Sequence, residues 1–173
     1  VLRSLSAIAR ADVALLVIDA TEPFPNQDLH VAGYVQDAAK GLVVVVNKWD
    51  LIDKEETDAV QVTQFLRSRL KFVPGFPIVF TSALQEEGID LVLTAASRVY
   101  EARQKRVSTG ALNRILARAF ADHLPPLVKG RRIHIYYGTQ AEVNPPTFVL
   151  FVNDPSRMHF SYRRYLENIL RRE

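Results

Sequence analysis

Asn47, Lys48 and Asp50 stand within four residues, directly after the apolar run Leu42–Val46. An amide, an ammonium and a carboxylate at this spacing suit the reading of a guanine base. Guanine presents two parallel donors, its ring N–H and its exocyclic amine, and one carboxylate accepts both. Adenine has an acceptor at the corresponding ring nitrogen, so a buried carboxylate facing it stays unpaired, which can discriminate by about 10⁴. Asp50 is therefore the expected selective group. Asn47 is expected to tie its loop to neighbouring loops and to reach the acceptor edge of the base. Lys48 can lay its methylene stem over the base plane and keep its ammonium in water. Ser82, Ala83 and Leu84 follow another apolar run, Pro77–Phe80. An Ala83 N–H there can donate to the guanine carbonyl oxygen, which adenine lacks. The alternative is that Asn47 and Asp50 only cap a turn or helix, as both residue types do.

Such residues must be held by a scaffold, and the flanking patterns predict one. Val13–Ile18, Leu42–Val46 and Pro77–Phe80 are β-branched-rich and unalternated, as expected of strands buried on both faces of a parallel sheet. Helical patterns lie between and after them, over about 28–39, 57–70 and 89–105. Leu29, Val31, Ala32 and Val35 mark the inner side of the first, and Val60, Phe65, Leu66 and Leu70 that of the second. The alternation predicts an α/β domain with right-handed crossovers. Polar residues follow each strand's C-terminal end, where open parallel sheets bind ligands. Asp19 is one of them, read as a turn cap or as a contact to the neighbouring loops.

After Arg106 the pattern changes. Ser108 and Thr109 can cap a helix through Leu112, Ile115, Leu116, Ala119 and Phe120, stopped by Pro125-Pro126. Arg131–Tyr137 and Thr147–Val152 read as antiparallel strands joined through Asn144-Pro145-Pro146. A final helix from about His159 places Leu166, Ile169 and Leu170 inside and Arg163, Arg164, Arg171 and Arg172 outside. The boundary falls near 106, giving domains 1–106 and 107–173. Charge divides in the same way. Residues 1–97 carry 8 Lys+Arg against 13 Asp+Glu, a net of −5, and residues 98–173 carry 14 against 6, a net of +8. The basic half suits a polyanion. The chain has no cysteine, which excludes disulfides and thiolate metal sites, and no apolar run approaches the roughly 20 residues of a membrane span. The four histidines, His30, His123, His134 and His159, lack metal-ligand spacing, so no metal site is expected from them.

Val13–Asp19, Asn47-Lys48-Trp49-Asp50 and Ser82-Ala83-Leu84 resemble the later half of a translation-factor-type GTPase domain. Ser108–Asn113, Tyr137–Gln140, Pro145–Asn153 and Ser161–Asn168 are similar to the EngA (Der) family, so the resemblance covers essentially all 173 residues. It implies a partial P-loop GTPase-type parallel sheet with flanking helices, followed by an α+β KH-like domain. It also implies two tandem GTPase domains in the parent, GTP and GDP as ligands with Mg²⁺, a cytoplasmic location and a role in assembly of the large ribosomal subunit. Guanine-binding positions carry over to Asn47, Lys48, Asp50, Ser82, Ala83 and Leu84.

One element of the family pattern is missing. No Gly-x-x-x-x-Gly-Lys-Ser/Thr loop occurs, and no glycine precedes Gly33. Such a loop would cradle phosphates and give Mg²⁺ a ligand. The sequence is therefore read as an internal fragment without catalytic residues, with phosphate loop, switches and early strands expected upstream and a last KH-like strand downstream. The strand at Val13–Ile18 is then expected to present an unpaired apolar edge.

The KH-like part also departs from nucleic-acid-binding KH domains. Lys129-Gly130-Arg131-Arg132 holds a single glycine, where such domains clamp a backbone with Gly-x-x-Gly. That speaks against an Era-like GTPase. It leaves Arg131, Arg132, Arg163, Arg164, Arg171 and Arg172 as contacts either to ribosomal RNA or to the first GTPase domain. Tyr136, Tyr137 and Tyr162 are read either as base-stacking or as packing residues. A scaffold without turnover is the alternative function.

Overall fold

The computed structural model describes residues 2–73 and 75–173, with the side chains of residues 2–4 left aside. The chain folds as two compact units, Val1–Arg103 and Gln104–Glu173.

In the first unit, three strands, β1 (Val13–Asp19), β2 (Gly41–Asn47) and β3 (Ile78–Phe80), form a parallel sheet in the order β1-β2-β3. Asp19 pairs with Asn47 and Val46 with Phe80 in register. Parallel neighbours need crossovers, and helices α2 (Asn26–Asp37) and α3 (Ala59–Arg69) provide them. Helix α1 (Leu2–Arg10) precedes the sheet and α4 (Ile89–Gln104) follows it. One face packs Leu16, Ile18, Val44 and Val46 against Ile8, Ala32, Val35, Leu66 and Leu70. The other packs Val43, Val45 and Val79 against Val92 and Ala95 of α4. β2 is buried from Gly41 through Val46, which is why its residues show no polar alternation. Asp58 caps α3 by accepting the Gln61 N–H at 2.7 Å.

Two expectations for α3 are corrected. Val60 and Phe65 are exposed, at 62% and 49%, and the inner side is carried by Leu66 and Leu70. Along β1, Leu15 and Val17 are 45% and 57% exposed, and among the described residues β1 pairs only with β2.

The second unit places α5 (Thr109–Asp122) and α6 (Phe160–Arg172) with the antiparallel pair β4 (Ile135–Glu142) and β5 (Thr147–Val152). Its core is Leu112, Leu116, Ala119, Ile133, Tyr162 and Leu166. Ser108 caps α5 through the Ala111 N–H at 3.3 Å. β5 has the expected bounds, but β4 runs Ile135–Glu142 and not Arg131–Tyr137. Two residues bear on its extension past Tyr137. At Gly138 a Cβ would lie 2.8 Å from side-chain carbons of both Leu116 and Leu150, so this strand position takes only glycine without displacing its neighbours. Gln140, 4% exposed, accepts the Val107 N–H at 2.7 Å and donates to Lys105 O and Glu142 O, both at 3.2 Å. A glycine and a buried amide do not read as strand residues, yet both are satisfied here.

Candidate functional site: the loops at the C-terminal edge of the parallel sheet

Because the three strands are parallel, Asp19, Asn47 and Thr81 emerge on one edge of the sheet. The backbone already joins them. Ala20 N–H donates to Asn47 O at 2.9 Å, Thr81 N–H to Val46 O at 2.8 Å, and Trp49 N–H to Thr81 O at 3.0 Å.

Asn47 is the junction. Its Oδ1 accepts the Ala83 N–H at 2.9 Å and the Thr81 hydroxyl at 3.2 Å. A backbone N–H can only donate, so this contact fixes the amide with Oδ1 toward the Thr81–Ala83 loop and Nδ2 turned away from it. The Ala83 N–H, expected to face a base carbonyl, is therefore donated to Asn47 in this structure.

Lys48 adopts the left-handed region, φ 62°, which turns the chain sharply at the strand end. Its ammonium pairs with Asp19 Oδ2 at 2.5 Å. Asp19 Oδ1 also accepts the Thr21 N–H at 2.9 Å and the Thr21 hydroxyl at 2.6 Å. The Lys48 ammonium, with the Thr21 hydroxyl and N–H behind it, lowers the Asp19 carboxyl to a pKa of about 2. Asp19 in turn raises the Lys48 ammonium above its ordinary value. Both sequence readings of Asp19, turn cap and contact to a neighbouring loop, hold together.

Asp50 lies in a short 3₁₀ turn, Trp49–Leu51. It is half-buried. Its carboxylate makes no hydrogen bond or ion pair with any described residue. Trp49, just before it, rests on Phe80 with ring centroids 4.5 Å apart.

The second loop is closed by its own bonds. Ser82 and Glu87 exchange backbone hydrogen bonds at 3.1 and 3.0 Å, and Ser82 Oγ accepts the Gln85 N–H at 3.2 Å. Ser82 is 2% exposed and serves the loop itself; Ala83 is exposed, and Leu84 is 89% exposed. At Gly88, φ is +74° and a Cβ would lie 2.5 Å from Phe80 O, so only glycine closes this loop against the strand. Thr81, Trp49 and Gly88 were not singled out from the sequence. Their signals were the position of Thr81 beside Ser82 and of a glycine six residues after it.

The arginines do not converge in the same way. Arg163 Nε donates to Glu167 Oε1 at 3.0 Å, and Arg132 Nη1 donates to Pro125 O. Arg131, Arg164, Arg171 and Arg172 are exposed and form no ion pair among the described residues. For Tyr162 the packing reading holds: it is 1% exposed and faces the core beside Tyr165. Burial first, and Tyr165 second, push its hydroxyl up to about 12. Tyr136 and Tyr137 are exposed, and Tyr137 stacks on Phe151 with centroids 4.3 Å apart.

Among the described residues, no group of three or more His, Asp or Glu side chains is placed to hold a metal ion. No helix among the described residues is long and apolar enough to cross a membrane.

A parallel sheet with crossover helices and joined strand-end loops, followed by a separate α+β unit, defines the class: part of a P-loop GTPase-type domain and a KH-like domain. Residues 3–120 match the elongation factor Tu GTP binding domain family, and residues 106–173 match the KH-domain-like family of EngA bacterial GTPase enzymes, C-terminal. The chain is 47% identical over 171 residues to a GTPase Der of Caldanaerobacter subterraneus subsp. tengcongensis, covering 99% of this chain and 39% of the relative. It is 48% identical over 173 residues to one of Thermomicrobium roseum, covering 99% and 38%, and 46% identical over 171 residues to one of Lactobacillus acidophilus, covering 99% and 39%. The chain belongs to the EngA (Der) GTPase family, and spans 38–39% of the length of these curated relatives. The GTP-binding match runs past Arg103 into α5, whose Leu112 and Leu116 pack in the second unit.

Proposed function

We propose that the complete protein binds guanine nucleotides through the loops at Asn47–Asp50 and Thr81–Leu84, hydrolyses GTP, and acts in the cytoplasm in assembly of the large ribosomal subunit. The observation that carries the base-reading part is the half-buried Asp50 carboxylate without a partner among the described residues, on a loop that Asn47 and Trp49 bind to the neighbouring strand end. A carboxylate not engaged by any described residue is open to accept from a ligand, and guanine presents two parallel donors to it. Asn47 contributes its Nδ2 donor to the base's acceptor edge. Lys48, drawn toward Asp19, contributes its stem as a cover, and exposed Leu84 lies beside Ala83 at the rim.

Phosphate contacts and a Mg²⁺ ligand would come from a phosphate loop, a motif absent from these 173 residues. Mg²⁺ would neutralise charge developing on the transferring phosphoryl group. The residues present serve to select and orient the base. Ribosomal RNA, and the first GTPase domain of the same chain, are the proposed partners of the exposed arginines Arg131, Arg164, Arg171 and Arg172, with Arg132 and Arg163 flanking them.

In the complete protein, Asp50→Asn replaces one acceptor oxygen by an amine. GDP binding is expected to weaken by several kcal/mol, on the order of 10²-fold or more, while xanthosine diphosphate, whose ring edge offers an acceptor, gains. Wild-type GDP affinity with no gain for xanthosine diphosphate would show that Asp50 does not read the base.

A further inference from the structure

Asn47 and Asp50 are fixed by different means. Asn47 ends a buried strand and is bonded directly to Thr81 and Ala83. Asp50 is three residues further on, past the left-handed turn at Lys48, and has no bond of its own to hold it. Among the described residues, the ties between its turn and β3 with the loop after it come from Trp49: the backbone N–H donated to Thr81 O at 3.0 Å, and the indole seated on Phe80 at 4.5 Å, tilted by 53°. Trp49 also packs against the core beneath the sheet edge. A single hydrogen bond is a hinge, about which a short turn can rotate. A ring packed against a second ring removes that rotation, because any turn of the backbone would drag the indole off Phe80.

We propose that Trp49 is the specificity-positioning residue of this site: by seating on Phe80 it sets the angle at which Asp50 meets the base, while Asn47 is held without it. The inference rests on the base-reading role proposed above. It makes a selective claim. Loss of the indole should disturb the carboxylate that accepts from the exocyclic amine of guanine and spare the contacts made by Asn47. Discrimination by the amine should therefore fall much more than overall nucleotide affinity does.

Inosine diphosphate lacks that amine and is otherwise GDP, so the ratio of GDP to IDP affinity isolates the contact. In the complete protein the wild-type ratio is expected to be on the order of tenfold or more, the worth of one charge-assisted hydrogen bond. Trp49→Ala and Trp49→Leu are expected to bring the ratio down to within about twofold of unity. Trp49→Phe, which keeps a ring on Phe80, is expected to retain most of it. Trp49→Leu keeps apolar bulk at the site and carries the measurement if Trp49→Ala does not fold. A merely structural role would weaken both nucleotides alike and leave the ratio at its wild-type value, and that result in Trp49→Leu would overturn the proposal. Asp50→Ala separates the two levels. If it abolishes the ratio while Trp49→Leu does not, base reading stands and the role of Trp49 falls. If Asp50→Ala leaves the ratio intact, base reading falls and the inference falls with it.

Discussion

The strand-end loops of the first unit and the arginine-bearing helix of the second both carry charged and polar side chains, but they hold them differently. In the loops, the polar groups around Asp50 constrain one another. Asn47 is bonded to Thr81 and Ala83, Lys48 to Asp19, and Asp19 to Thr21. Along α6 the arginines are independent. Arg163 bridges to Glu167 one turn away, and Arg164, Arg171 and Arg172 are exposed without ion-pair partners among the described residues. The loops can therefore distinguish two ligands differing by one donor, because a misplaced donor has nowhere to go. The helix can attract a polyanion, but mobile exposed charges cannot tell one base sequence from another.

Gly88 and Gly130 give the largest expected effect after loss of Asp50. Both have φ of +74°. A Cβ at Gly88 would strike Phe80 O at 2.5 Å, whereas at Gly130 it would meet nothing within 4 Å. Gly130→Ala should cost about 1 kcal/mol, the strain of a left-handed alanine. Gly88→Ala should cost roughly 2–4 kcal/mol, since strand and loop must also separate. Urea unfolding of the two variants checks this. Equal losses would mean that the Ser82–Gly88 loop is no more tightly closed than the exposed turn at Gly130.

A smaller effect is expected on RNA. Arg164→Glu should weaken binding of ribosomal RNA fragments by roughly tenfold at low salt, evenly across sequences, and reduce the salt slope. Arg163→Glu should do less, because Arg163 is already engaged by Glu167. Filter binding by the complete protein at two salt concentrations measures both. A sequence-dependent loss would contradict the contrast drawn above. No loss would assign the face to contact with another domain.

The smallest effect concerns acid. The Asp19 carboxyl is held at about 2 by Lys48 and Thr21, below the ordinary value of about 3.9. Its stabilising contribution is complete above that ordinary value and is lost as pH falls through about 2. Asp19→Asn should remove this pH-dependent segment. The urea midpoints of wild type and variant should differ at pH 5 and converge as the pH approaches 2. A constant difference would show that the pair does not stabilise the loop.

The parallel sheet was legible because buried strands leave an unbroken apolar record, as in Leu42–Val46. The strand-end loops were legible because Asn-Lys-x-Asp and Ser-Ala-Leu follow such runs. What escaped was set by tertiary contact. Val60 and Phe65 fit a helical stripe, but the packed side of α3 is centred on Leu66 and Leu70. The extension of β4 past Tyr137 takes in Gly138 and Gln140, whose place in a strand follows from neighbours distant in sequence. For Tyr162 the sequence leaves stacking and packing open, because tyrosine suits both water and core, and the packing of α6 on α5 decides for the core. The partner of Lys48 lies on a different strand, so spacing alone could not supply it.

The contact between Trp49 and Phe80 has a spectroscopic corollary. Trp49 is the sole tryptophan among these 173 residues, so their indole emission comes from one loop. An unfolding curve followed by that emission reports the edge of the parallel sheet and is blind to the unit formed by Gln104–Glu173. Far-ultraviolet dichroism, dominated by helices in both units, sees the whole chain. Two curves that fail to superimpose would thus be the signature of two units melting separately, with each transition assigned to its unit without introducing a label.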